Sequence, residues 1–82
     1  MEPKKLIRIE LVFPDKLIKA PVIYIAAKKF NLVPNVFSAE ITETKGKVEL
    51  ELEGKIIDLK QAIRYFQRKG IGVKQKYEYK KI

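Results

Sequence analysis

The 82 residues fall well short of the roughly 150 usual for a domain, so one domain over residues 1–82 is expected, with its core near residues 5–79. With 46% apolar residues and neither cysteine nor histidine, the chain can bury a small core. Disulfides, thiolate or imidazole metal sites, iron–sulfur clusters and histidine-based triads are excluded. The formal charge of +8, from 18 basic and 10 acidic residues, favours an anionic partner, although lysine, a solubilising point charge, far outnumbers arginine.

Lys5–Phe13 alternates, with Ile7, Ile9, Leu11 and Phe13 on one face and Arg8 and Glu10 on the other, which predicts a strand closed by Pro14. Asp15–Ala20 reads as a loop, and Pro21 suits the first position of a helix. Ile23, Ala26, Ala27 and Phe30 recur at helical spacing to about Asn31, and Pro34 bars further helix. Two strands are predicted near Val36–Thr44 and Lys47–Glu53, with Lys45-Gly46 as the hairpin turn. In the later strand Val48, Leu50 and Leu52 alternate with Glu49, Glu51 and Glu53, so one face is buried and the other solvated. Asp58 is the expected N-cap of a second helix that carries Leu59, Ala62, Ile63 and Phe66 on one face and stops at Gly70. The last strand, Ile71–Tyr79, is expected to turn Val73, Gln75, Tyr77 and Tyr79 one way.

The order βαββαβ with right-handed crossovers predicts an α+β ferredoxin-like sandwich: a four-stranded antiparallel sheet, order 4-1-3-2, with two helices on one face. That order sets the glutamates of the third strand near Arg8 and the lysines of the last strand on the open face, a cross-strand pairing that accounts for the glutamate row without catalysis or metal. No run of 18 apolar residues and no secretory pattern occurs, so no membrane span and a cytoplasmic location are expected. Many Lys and Glu beside few Asn and Gln fit a thermophile.

This scaffold hosts many functions, so the residues must choose among them. Reading RNA on the open face needs aromatics on the first and third strands, where the third strand has glutamates that repel phosphate. A nucleic-acid contact through the helix face, by Lys28, Lys60, Arg64 and Arg68, or through Lys80-Lys81, is the weakest of three readings. Acylphosphatase-like hydrolysis needs an anion cradle with arginine after the first strand, and residues 14–20 contain neither arginine nor glycine. The lone serine, Ser38, has no histidine base. A non-enzyme without metal or cofactor is expected.

From Leu6 to about Lys76 the chain resembles a NIL domain, the ACT-like module at the C-terminus of the ATPase subunit of bacterial methionine ABC importers. The resemblance rests on Ile7-Arg8-Ile9-Glu10-Leu11-Val12-Phe13 leading to Ala20-Pro21-Val22-Ile23, then Phe30-Asn31, Asn35-Val36-Phe37-Ser38-Ala39, Gly46, Gly54, and Ala62-Ile63 ahead of Gly70. It implies a regulatory domain that pairs with a second copy and binds methionine near the interface. The family's ligand-contacting asparagine falls on Asn35, which following Pro34 also reads as a turn residue. The family commonly has glycine after the first strand, where this chain has Asp15. The 82 residues contain no Gly-x-x-x-x-Gly-Lys loop, so they carry no ATPase chemistry themselves.

The expected ligand-binding residues are Asn35 as polar anchor and Val36, Phe37 and Ile41 as an apolar slot, with Lys16 or Lys19 balancing a ligand carboxylate. Homodimerisation around a two-fold axis is expected through the second strand, an apolar edge, or through shared helix surface. The alternative function is a protein-interaction or accessory module without a small ligand, serving a ferredoxin-like or methionine-metabolism partner.

Overall fold

The computed structural model describes residues 4–14 and 21–81, with side chains described through Lys76. The elements are β1 (Lys5–Pro14), α1 (Val22–Lys29), β2 (Val33–Ile41), β3 (Lys45–Gly54), α2 (Ile56–Arg68) and β4 (Gly72–Lys81). Antiparallel pairing of β1 with β3 and β4, and of β2 with β3, orders the sheet β2-β3-β1-β4, the expected ferredoxin-like sandwich read from its other edge. No helix is long and apolar enough to cross a membrane.

The core lies between the sheet and the helices. Ile7, Ile9 and Leu11 of β1, Leu50 and Leu52 of β3, and Leu59, Ala62 and Phe66 of α2 are fully or almost fully buried, joined by Val22 and Ala26 of α1. These are the apolar halves of the alternating and helical patterns, so burial follows periodicity. Both helices end the same way. The N–H of Leu32 donates to the Ala27 carbonyl across Asn31 at φ 55°, and that of Ile71 donates to the Phe66 carbonyl across Gly70 at φ 85°. In each case a left-handed residue lets the next apolar side chain fold back into the core.

Several local expectations shift. The helix α2 begins earlier, with Lys55 at the N-cap and Asp58 in the first turn, where its charge suits the helix N-terminus without capping it. The β2–β3 connection is Thr42–Thr44, and Lys45-Gly46 belongs to β3; the Thr42 N–H donates to the Lys45 carbonyl at 2.8 Å. The second strand starts at Val33, so Pro34 sits inside an edge strand, which has no neighbour on its outer side to miss the absent donor. In β4 the register slips between Gln75, opposite Ile9, and Tyr77, opposite Arg8, which interrupts the single alternation expected from Val73 to Tyr79.

Candidate functional site

Strand β2 is exposed along its whole length, and its register decides which side chains share a face. Pro34, Val36, Ala39 and Ile41 stand opposite Leu52, Leu50, Val48 and Gly46, and so point to the helix side of the sheet. Asn35, Ser38 and Glu40 stand opposite Glu51, Glu49 and Lys47, on the open side. Between Val36 and Ser38 the register slips by one residue, and Phe37 is the extra one.

On the helix side, an apolar groove of about 360 Å³ opens between the start of α1 and the β2–β3 pair. Phe13, Val22, Ile23 and Tyr24 form one wall, and Pro34, Val36, Ile41 and Val48 the other. Tyr24, Val36 and Ile41 are 62%, 52% and 63% exposed, so the groove carries its apolar surface into water. Val36 and Ile41 therefore line one groove. Tyr24 and Pro34 were missed: one lies off the apolar stripe of α1, and the other reads as a helix breaker.

On the open side, the Phe37 ring lies 4.1 Å beneath the Arg8 guanidinium. The Arg8 Nε donates to Glu49 Oε2 at 2.8 Å, and Lys47 Nζ lies 3.5 Å from Glu10 Oε2. Glu10 and Glu49 are direct cross-strand partners, so each like-charged carboxylate is answered by a diagonal cation. Glu49 of the glutamate row, and Glu10 opposite it, are thus each paired within the sheet. Asn35 and Phe37 lie on this side and do not converge with Val36 and Ile41 on one face. Lys16 and Lys19 lie outside the described residues, as does Asp15. Among the described residues, no three carboxylates gather to hold a metal ion.

Comparison with known proteins covers the same elements. No curated protein matches the chain. A solved structure, the C-terminal domain of an ABC transporter ATP-binding protein from Enterococcus faecalis, is similar with a TM-score of 0.74 over 92% of this chain and 84% of that one. Its sequence identity of 15% makes this a likeness of fold. The model of the NIL domain family matches residues 7–75, from the first buried residue of β1 to Gln75 of β4. That span takes in both helices, the groove, the exposed edge strand and part or all of every other strand, and on it the chain belongs to the NIL domain family.

Proposed function

We propose that this NIL domain is a non-catalytic regulatory module that takes a small amino acid, methionine first, into the groove beside β2, with two copies meeting along that strand. The observation that carries the reading is the groove itself, an open apolar slot rimmed by Tyr24, Val36 and Ile41. A thioether against an aromatic ring is favourable by roughly 0.3–1.5 kcal/mol, and Phe13 and Tyr24 supply the rings. In this reading Asn35, which faces the open side of β2, meets the ligand's carboxylate or ammonium where that group reaches past the strand edge, and Lys16 or Lys19 balances the carboxylate. The likeness of fold to the C-terminal domain of an ABC transporter ATP-binding protein supports a regulatory role.

The test is a melting scan with and without millimolar methionine. At a hundredfold excess over its dissociation constant a ligand stabilises the fold by about 2.7 kcal/mol, roughly 10–20 °C for a domain this small. Val36→Lys, at an exposed position on the groove wall, should abolish the shift while leaving the fold intact. No shift in the native protein removes methionine as the ligand. An equal shift in Asn35→Ala removes Asn35 from the site.

A further inference from the structure

The outer surface of the helices differs in chemistry from every other part of the molecule. The chain has three arginines, and two of them, Arg64 and Arg68, lie one turn apart on α2. With Lys29, Phe30, Gln61 and Tyr65 they line a second cleft of about 340 Å³ between the end of α1 and the last turns of α2. No aliphatic side chain and no carboxylate is among these lining residues. Across both helices the only acidic residue is Asp58, at the far end of α2. Two ion pairs, Arg8–Glu49 and Lys47–Glu10, lie on the open face of the sheet. The sheet thus mixes carboxylates with cations, whereas the two helices carry a clear excess of basic residues over the single Asp58.

Helix dipoles explain part of this. Lys28, Lys29 and Arg68 sit in last turns, where a cation is favoured. They do not explain Arg64, nor the aromatic floor. Phe30 and Tyr65 meet edge to face with centroids 5.7 Å apart, both partly exposed. Lys29 and Lys69 ride over the Tyr65 ring at 5.4 and 5.1 Å. A lysine held against a ring keeps its ammonium at the cleft rim instead of extending it into solvent.

We propose that this cleft binds single-stranded nucleic acid, with phosphates against Lys29, Arg64 and Arg68 and a base against the Phe30–Tyr65 pair. Arginine grips phosphate bidentately, and exposed aromatics between cations are what stacked bases use. A lipid surface fits less well, because the cleft offers no aliphatic side chain to enter the acyl layer.

The test is fluorescence anisotropy of a labelled twelve-nucleotide oligothymidylate, titrated with the native protein from 25 to 300 mM salt. Binding is expected at low salt, with a logarithmic salt slope of about −2 to −3 for three or four phosphate contacts. Arg64→Glu should weaken binding about tenfold or more, and Tyr65→Leu about fivefold or more. Lys76→Glu, an exposed residue of β4 with the same charge change, should leave binding within a factor of about three, as it alters only a distant field that salt screens. A melting scan confirms that each variant is folded, and Arg64→Gln, which adds no negative charge, stands in if Arg64→Glu is not. Absence of binding at 25 mM salt overturns the proposal. So does equal weakening by Lys76→Glu, which makes the effect one of net charge, or equal affinity for polyglutamate or for vesicles of anionic phospholipid.

Discussion

Arg8 shows how much one side chain can organise on an open sheet face. It donates to Glu49, covers the Phe37 ring, and lies between two strands that would otherwise set Glu10 against Glu49. Its ion pair is about one-third exposed, so solvent screens much of the Coulombic attraction, and Arg8→Ala should cost about 1 kcal/mol in a urea titration. Arg8→Lys should recover only part of that, because an ammonium can pair with Glu49 but cannot stack as a plane on Phe37. Gly70 is a residue of the opposite kind, with no chemistry except its backbone angle. Nothing lies within 4 Å of where its Cβ would be, so the cost of substitution is conformational alone. Gly70→Ala should destabilise by roughly 1–2 kcal/mol, and Gly70→Asn by less, since asparagine visits left-handed backbone readily and does so at Asn31.

At the scale of elements, strand β2 and helix α2 stand at opposite extremes. α2 buries Leu59, Ala62 and Phe66 completely, and its apolar stripe alone accounts for its position. Phe66→Ala should cost about 3–5 kcal/mol by calorimetry, near the limit a domain this small tolerates. β2 buries none of its residues and is held by its ladder to β3. Its extra residue at Phe37 sends one aromatic to Arg8 while Val36 and Ile41 remain at the groove. The junction between α1 and β2 is also pinned by close packing, since a Cβ at Gly54 would run into the buried side chain of Leu32. Gly54→Ala should therefore destabilise by about 1–3 kcal/mol through overpacking, and Leu32→Ala in the same chain should recover part of it, a coupling that a double-mutant cycle reads directly.

For the whole molecule, size and the bare edge of the sheet act together. A domain of this length buries only about 60–65% of the surface its unfolded chain exposes, and β2 leaves Val33, Val36, Phe37 and Ile41 in water beside an unpaired backbone edge. Two copies paired through β2 around a two-fold axis would cover these residues and continue the sheet. Light scattering at tens of micromolar should give twice the 9.6 kDa chain mass, and Ile41→Lys should shift it toward the single-chain value by placing a charge at the contact. A single-chain mass for the native protein at that concentration counts against pairing. The cleft of Lys29, Arg64 and Arg68 shares no residue with β2 or with the groove beside it, so nucleic-acid binding is separable by its variants from methionine binding and dimerisation.

The sandwich was legible in the sequence because its information is periodic. Ile7, Ile9 and Leu11 alternate, Leu59, Ala62 and Phe66 recur at helical spacing, and burial of those two stripes leaves one way to stack helices on a sheet. The charge ladder on the open face was legible for the same reason, since alternation places Arg8 and the glutamates together once the strand order is known. The site was legible only in part. Val36 and Ile41 reach one groove, but the side taken by Asn35 and Phe37 depends on a register slip that costs a single residue and leaves no mark in composition. The hairpin moved to Thr42–Thr44 because strand pairing outweighed the turn preference of Lys45-Gly46. Only the tertiary structure joined Lys29 and Phe30 of one helix to Arg64, Tyr65 and Arg68 of another. These residues are more than thirty positions apart, and helical spacing, which puts Arg64 and Arg68 on one basic face, does not say which residues of the other helix they meet.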